Sequence, residues 1–231
     1  MIRLFIPQHL TADALISPDE KQIHYLKHVM RLQEGERVAL FNGKDGTWVA
    51  DYHTVGKKGA QLVVTEKIAE QQNRARCILC PALIKKENMD FVLQKATELG
   101  VTEIRPVITA RTVVRQMNMA RGEAIITEAC EQCERNDIPA LYPPQTLTAL
   151  LSAFTPDVTV IHLAERQTFS AKLSPDMIPA FIIGPEGGFT SEENALIQAH
   201  PSMRVIHLGT TVLRAETAAL ATLSACQFRL F

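Results

Sequence analysis

The spacing of apolar residues changes near residue 74, and this change constrains the fold more than any other feature of the sequence. Before it, short β-prone segments are separated by tight turns. After it, apolar runs of strand length alternate with segments of helical spacing. Such alternation is typical of an α/β domain with a mainly parallel sheet. The sequence therefore predicts two domains, residues 1–70 and 74–231, joined by the polar segment 70–74.

The first domain is predicted to be a small β-barrel with one helix. The turn sequences NGKDG and GKKG separate strand-like runs, as expected for hairpins. Apolar spacing over residues 18–30 predicts the helix, with Ser17 as its N-cap. The predicted strands are residues 2–6, 37–41, 47–55 and 61–68. Several short strands with one helix favour a barrel.

The second domain is predicted to alternate strands and helices. Its predicted strands are residues 76–83, 101–108, 158–163, 181–183 and 204–208. Its predicted helices are residues 86–99, 119–136, 192–199 and 216–230, with Gly100 ending the first and Ser191 capping the third. The uncharged runs at 158–163 and 181–183 are typical of strands buried on both faces of a parallel sheet.

The composition excludes several classes of protein. Hydrophobic residues make up 46% and charged residues 21%, which argues against disorder and coiled coil. The formal net charge of −1 excludes a strongly basic nucleic-acid binder but allows an enzyme that grips nucleic acid through a local patch. With five cysteines, no apolar run of membrane-spanning length and no secretory leader, we expect a cytoplasmic protein with reduced thiols and no membrane partner.

Two loops follow apolar strands in the second domain, and ligands bind beyond the carboxyl ends of parallel strands. The first loop holds Gly184, Gly187 and Gly188, which allow close approach of a ligand; a plain glycine turn is the structural alternative. It lacks the Lys-Ser/Thr of a phosphate-binding loop, and Glu186 would repel a phosphate. A ligand with a positive centre or hydroxyl donors therefore fits better.

The second loop, residues 208–213, leads into the last helix. Arg214 and Glu216 are the only charged residues between Arg204 and Arg229. Glu216 lies in the predicted first turn, where the helix dipole favours a carboxylate. The pair is a candidate for catalysis, and a structural ion pair is the alternative.

Cysteines and basic residues suggest two further kinds of site. Cys77 and Cys80 lie on a predicted strand, where residues three apart point to opposite faces, so we predict that no metal is bound by the two C-x-x-C pairs. Basic side chains are candidates for contacts with an RNA backbone, with ordinary surface charge as the alternative. These candidates are Lys27, His28 and Arg31 in the first domain and Arg111 and Arg135 in the second.

Six sequence boxes in order carry a specific resemblance. They read HYLKHVMRL at 24–32, QKATELGV at 94–101, RTVV at 111–114, EACEQCERN at 128–136, IGPEGG at 183–188 and LGTTVLRAETA at 208–218. The chain resembles the RsmE-type 16S rRNA uridine-N3 methyltransferases of the SPOUT class. One departure is Thr211, which stands where this family usually has arginine.

The resemblance implies a PUA-like RNA-binding β-barrel followed by an α/β domain with a trefoil knot that binds S-adenosylmethionine. It also implies a homodimer whose target is a uridine near the decoding site of 16S rRNA in the small ribosomal subunit. Arg214 would stabilise the deprotonated uridine, and Glu216 would act as the base or only orient Arg214. The cofactor would contact Leu163, Gly184, Pro185, Glu186, Gly187, Gly188, Leu208, Gly209 and Leu213.

Alternatives remain for the assembly and for the activity. The segment 217–228 carries no charge, so as a helix it should be buried on all sides, either in a homodimer or wrapped within its own chain. The glycine loop would instead hold phosphate if the protein were a nucleotide-binding α/β enzyme. An RNA-binding module without catalysis is the third reading, and the intact Gly184, Arg214 and Glu216 argue against it.

Overall fold

The computed structural model describes residues 1–56, 59–164 and 176–228, which form two compact units. The first unit comprises residues 1–73 and 130–138, and the second comprises residues 74–129 and those from 139 onward. The sequence placed 130–138 in the second domain, whereas the structure groups this segment with the first. The reason is Asn136, which is buried, donates to the Glu70 carbonyl at 2.9 Å and accepts from the Gln72 amide at 3.1 Å.

A five-stranded sheet forms the first unit. Its strands are β1 (Ile2–Phe5), β2 (Leu15–Ile16), β3 (Arg37–Phe41), β4 (Thr47–Val55) and β5 (Gly59–Ala69), in the order β1-β3-β4-β5-β2. Strands β3, β4 and β5 pair antiparallel with their neighbours in sequence, and β1 joins β3 in parallel. Alternate residues such as Leu40, Tyr52 and Leu62 point into one buried core.

The predicted helix over 18–30 is broken in the structure. Helix α1 (Glu20–His24) is followed by a π-helical turn, Tyr25–Val29, in which the Met30 amide donates to the Tyr25 carbonyl at 2.9 Å. The prediction of Ser17 as N-cap was wrong. Asp19 caps the helix because its carboxylate accepts from the Gln22 amide at 2.8 Å, while the Gln22 side chain accepts from the Asp19 amide.

The second unit is built on a parallel sheet of six strands in the order β13-β11-β12-β6-β7-β9, beside a two-stranded sheet of β8 and β10. The strands are β6 (Ile78–Pro81), β7 (Glu103–Ile104), β8 (Val107–Ile108), β9 (Ala140–Leu141), β10 (Gln145–Thr146), β11 (Val158–Ala164), β12 (Ile178–Ile183) and β13 (Arg204–His207). The helices are α2 (Lys86–Glu98), α3 (Met119–Gln132), α4 (Leu147–Ser152), α5 (Ser191–Gln198) and α6 (Ala215–Gln227).

Several predicted elements differ from those observed. The predicted strand 101–108 is split into β7 and β8, with Pro106, which has no amide hydrogen for a ladder, between them. The proline-rich stretch after residue 138 contains β9, β10 and α4, which the sequence did not predict. Thr190, not Ser191, caps α5, since its hydroxyl accepts from the Glu193 amide at 3.2 Å.

Helices cover the parallel sheet and so position its loops. One core joins β6, β11 and β12 to Leu147, Leu150, Leu151 and Ile197 of α4 and α5. Helix α6 follows the edge strand β13, yet it packs against β12, β6 and α2. Because β11 pairs in parallel with both β12 and β13, the carboxyl ends of these three strands lie at the same edge of the sheet. No helix in the described ranges is long and apolar enough to cross a membrane.

Candidate active site

A cavity of about 1200 Å³ lies at the carboxyl ends of β11, β12 and β13. Parallel strands release their loops at one edge, which is why residues far apart in sequence meet here. Every residue predicted to hold the cofactor lines it, namely Leu163, Gly184, Pro185, Glu186, Gly187, Gly188, Leu208, Gly209 and Leu213. Arg111, Arg214 and Glu216 line the same cavity. The structure thus assembles the predicted set, and the role of each member stays a prediction.

The glycines of the first loop are required for different reasons. A β-carbon on Gly184 would lie 3.0 Å from the ring of Phe189, and one on Gly187 would lie 3.3 Å from Cδ of Arg111. Gly188 has a φ of +69°, a backbone conformation that is strained for any residue with a side chain. Its amide donates to the Pro185 carbonyl at 2.8 Å in a tight turn. Packing accounts for two of these positions and backbone conformation for the third.

Arg214 and Glu216 stand at the start of α6. Arg214 occupies the N-cap position, with an exposed side chain that has no hydrogen-bond or ion-pair partner among the described residues. Glu216 lies in the first turn, and its Oε2 is buried without a hydrogen-bond partner in that part of the chain. The structural ion pair between the two is absent from the described ranges, so both side chains remain available to a ligand.

His162 is a cavity residue that sequence reasoning missed. It lies in β11, is only 7% exposed, and its ring centroid is 5.7 Å from that of Phe189. Burial and the neighbouring His207 lower its pKa below the usual value, so the ring stays neutral near neutral pH. Its Nδ1 is buried and has no partner among the described residues. The sequence does contain an indication of its role, because His162 is the one residue with a polar ring in the apolar run 158–163.

Two helices supply further polar groups to the cavity. Ser191, Asn194 and Gln198 of α5 line it at spacings of three and four residues, which place them on one helical face. Lys85 and Asn88, at the start of α2, line it as well. The amphipathic spacing in α5 would have identified the first set, but only the packing shows that this face lines the cavity.

The charges in the cavity wall suit a ligand that carries both signs. Three cationic side chains, Lys85, Arg111 and Arg214, line it together with the carboxylates of Glu186 and Glu216. S-adenosylmethionine has a sulfonium, an ammonium and a carboxylate group, so the residues present fit it. The volume exceeds the roughly 300–1,000 Å³ typical of small-molecule sites, which leaves room for a second reactant.

The predicted RNA contacts fall in different settings. Lys27, His28 and Arg31 lie on or beside the π-helical turn of the first unit, where His28 and Arg31 are exposed. Turns of this kind occur frequently at functional sites. Arg31 has a φ of +56°, an uncommon conformation for a residue with a side chain. Arg111 lies at the cavity in the second unit.

Arg135 is not available to RNA, so its predicted role was wrong. Its side chain is 2% exposed, and Nη2 lies 2.5 Å from Oδ2 of Asp137 while Nε lies 3.2 Å from Oδ1. A buried guanidinium is stabilised by such a bidentate carboxylate pair. Arg135 therefore holds the segment after α3 in place.

All five cysteines are free thiols. Cys80 and Cys130 are buried, which raises the pKa of both thiols, that of Cys130 to about 12. A hydrogen bond with Cys77 lowers the pKa of Cys226. Within the ranges that the structure describes, no group of three or more histidine, cysteine, aspartate or glutamate residues is arranged to hold a metal ion.

Known proteins resemble this chain along its whole length. A family model described as an RNA methyltransferase domain matches residues 71–227, and one described as an RNA methyltransferase PUA domain matches residues 18–65. A relative from Rickettsia conorii, named ribosomal RNA small subunit methyltransferase E, is 31% identical over 228 residues, which covers 96% of this chain and 93% of the relative.

Solved structures agree with the family models. Ribosomal RNA small subunit methyltransferase E from Neisseria gonorrhoeae, bound to S-adenosyl methionine, is 30% identical with a TM-score of 0.89 over 99% of this chain and 97% of that chain. A candidate methyltransferase from Legionella pneumophila, solved with the bound cofactor SAM, is 34% identical with a TM-score of 0.86 over 98% and 97%. The chain therefore belongs to the RNA methyltransferase family that includes ribosomal RNA small subunit methyltransferase E.

Proposed function

We propose that this protein transfers a methyl group from S-adenosylmethionine to N3 of a uridine in the 16S rRNA of the small ribosomal subunit, and that it does so in the cytoplasm. The observation that carries the proposal is the cavity at the carboxyl ends of β11, β12 and β13, which is also lined by Arg214 and Glu216. When bound, the cofactor supplies an electrophilic methyl group. Relatives named for this ribosomal RNA and solved with this cofactor support the assignment.

The cavity residues have distinct proposed tasks. Uridine N3 carries a proton and becomes nucleophilic once the proton leaves. The Glu216 carboxylate accepts that proton, and the Arg214 guanidinium stabilises the negative charge that develops on the ring. The neutral His162 ring adds no positive charge that would repel a sulfonium. The loop backbone at Gly184, Gly188 and Gly209 contacts the cofactor.

The size of the cavity supports a nucleobase as the second reactant. Enzymes that modify a base act on single-stranded RNA or extrude the target base from its stack into a pocket. With about 1200 Å³, the cavity has room for a base beside the cofactor. The Arg214 side chain is exposed and lines the cavity, so it is available to contact such a base.

Methyl transfer to isolated small ribosomal subunits, followed by mapping of the modified nucleotide, tests the function directly. We expect one modified uridine per subunit with the wild-type protein. Arg214→Ala should lower kcat by about 10²–10³-fold, the usual cost of removing one group that stabilises transition-state charge. Glu216→Gln should also lower kcat, because the amide cannot accept the N3 proton. Binding of S-adenosylmethionine with no transfer to any subunit would contradict the proposal.

The remaining structural features of the family are proposed on the same basis. The five-stranded sheet of the first unit is inferred to close as a PUA-like barrel that positions RNA through Lys27, His28 and Arg31. The second unit is inferred to carry the trefoil knot. The return of α6 from the edge strand β13 to the centre of the sheet supports the knot.

We infer a homodimer formed through α6. This helix buries Ala219, Thr222 and Leu223 within its own chain, but Phe228 at its end is 67% exposed. Its other face is uncharged and half-buried, and α2, which packs against it, exposes Phe91. Apolar surface of this kind marks an interface.

Light scattering should give twice the 25.6 kDa of the chain, and Leu220→Asp should give a monomer. A wild-type monomer with full activity would contradict the dimer.

A further inference from the structure

The turn that follows β8 is fixed by its own side chains. The Thr109 amide donates to the Thr112 hydroxyl at 2.9 Å, the two hydroxyls lie 2.8 Å apart, and the Thr112 amide donates to the Thr109 carbonyl at 3.2 Å. Both threonines are buried. A buried turn with satisfied polar groups is rigid, so it presents Ala110 and Arg111 in one fixed arrangement.

These two residues contact the glycine loop and the first turn of α5, which follows it. Nη1 of Arg111 donates to the carbonyl oxygen of Gly187 at 2.6 Å. The Ala110 amide donates to Oε1 of Glu193 at 2.6 Å, and Oε2 of the same carboxylate accepts from the Thr190 amide at 2.9 Å. The segment between Gly187 and Glu193 is therefore held to one rigid turn at both of its ends.

The shape of the loop depends on the aliphatic part of Arg111 as well. A β-carbon on Gly187 would lie 3.5 Å from Cβ of Arg111, an ordinary contact, but only 3.3 Å from Cδ, which is closer than side chains normally pack. The arginine stem therefore packs against the loop at Gly187, where there is no side chain to displace it. This contact gives Gly187 a reason to be glycine that does not involve a ligand.

We propose that Arg111 is a positioning residue that holds the cofactor loop through the Gly187 carbonyl, rather than a contact for the RNA backbone. The inference rests on the proposed function, since it takes the loop to bind S-adenosylmethionine. Arginine suits the task because its planar guanidinium holds the carbonyl in a defined direction while its stem packs against Gly187. Loss of the hydrogen bond leaves the loop free to leave the binding-competent arrangement and so weakens cofactor affinity.

Calorimetric titration with S-adenosylmethionine tests the proposal, with Arg111→Met, which keeps an unbranched stem and removes the donors. We expect affinity to fall about tenfold, with KM for the cofactor rising and kcat little changed. Arg115→Met is the matched control, because Arg115 has the same charge, is exposed in the same loop and has no hydrogen bond or ion pair with the glycine loop in the described ranges. Its affinity should stay within about twofold of wild type. Arg111→Lys should restore part of the loss.

The outcomes separate the inference from the proposed function. If wild-type protein does not bind S-adenosylmethionine, the proposed function fails. If wild type binds and Arg111→Met binds equally well, or if this variant loses only RNA affinity, the positioning role of Arg111 is overturned. Glu193→Gln tests the second attachment, and it should also weaken cofactor binding, because one amide oxygen cannot replace both carboxylate oxygens. Unchanged binding by this variant would overturn the second attachment.

A double-mutant comparison tests whether Arg111 acts through Gly187. Gly187→Ala should weaken cofactor binding in the wild type, because the added carbon displaces the Arg111 stem. The same change should weaken it less in the Arg111→Ala background, where the stem is absent. Equal losses in the two backgrounds would overturn the proposed interaction. Melting curves from circular dichroism confirm that each variant is folded.

Discussion

The two units build their functional surfaces in different ways. In the first unit, β3, β4 and β5 pair with their neighbours in sequence, and the candidate RNA residues lie within one short segment around the π-helical turn. In the second unit, the sheet places β11 between β12 and β13, and the cavity draws on residues from Lys85 to Ala218. A surface made from one segment can be predicted from local spacing, whereas a cavity made from distant segments depends on the whole topology.

Replacing one core leucine in each unit should have the largest effect on stability and should separate the two units by their effect on cofactor binding. Leu223 is 1% exposed in α6 and Leu62 is fully buried in β5. Alanine at either position should lower the free energy of unfolding by about 2–5 kcal/mol, measured in urea by circular dichroism. Only Leu223→Ala should also weaken S-adenosylmethionine binding, because α6 carries Glu216 into the cavity. Equal effects of both variants on cofactor affinity would show that the site does not belong to the second unit alone.

Charge reversal at Lys27 and Arg31 tests the RNA role of the first unit. The double change to glutamate should weaken binding to 16S rRNA by about tenfold or more, and it should lower the salt slope by about one for each phosphate that is no longer neutralised. Cofactor affinity should not change. Lys44→Glu, in the hairpin turn between β3 and β4, is the control and should leave the slope near its wild-type value. RNA binding that survives the double change would remove the proposed role of this turn.

Two glycines with similar backbones give a matched pair. Gly188 (φ +69°) and Gly56 (φ +58°) both have open space where a β-carbon would be. Alanine should cost about 1 kcal/mol of stability at either site, because both need a left-handed backbone. Only Gly188→Ala should also weaken S-adenosylmethionine binding, by about fivefold in titration calorimetry. A similar loss from Gly56→Ala would show that the effect is general rather than due to the loop.

His162 should make the stability of the second unit sensitive to pH. Burial and the neighbouring His207 lower its pKa below the ordinary value of 6.5, so the unfolded chain binds a proton there more readily than the folded one. The contribution of His162 to the free energy of unfolding should therefore be fully present above pH 6.5 and be lost as the pH falls below that value. His162→Asn should flatten this part of the curve, by less than the changes above. An unchanged slope in the variant would mean that His162 does not titrate on unfolding.

The predictions that succeeded depended on local pattern. The hairpin sequence NGKDG lies between β3 and β4, and the alternation after residue 74 corresponds to a parallel sheet with helices. The glycine loop was predicted to follow a buried strand, and it follows β12. Turn residues, alternating apolar positions and helical spacing act over a few residues, so they are readable from sequence.

The failures have a different origin. Ser17 and Ser191 are good capping residues, but Asp19 and Thr190 cap the helices because their partners Gln22 and Glu193 complete two-way hydrogen bonding. Arginine is a residue type that often binds RNA, but Arg135 is buried and paired with Asp137. In each case the outcome was decided by competition among neighbours that sequence spacing does not rank.

Local patterns and the family resemblance were enough to predict the two kinds of architecture, the loops at strand ends and many of the residues that line the cavity. Three features became visible only in the folded chain: the hydrogen bonds that hold Asn136 in the first unit, the position of His162 in the cavity wall, and the contact between Arg111 and Gly187. The difference comes from the distance along the chain over which each kind of interaction acts. Backbone propensity and apolar periodicity act along the chain, whereas burial and hydrogen bonding between distant segments exist only once the strands have been ordered in the sheet.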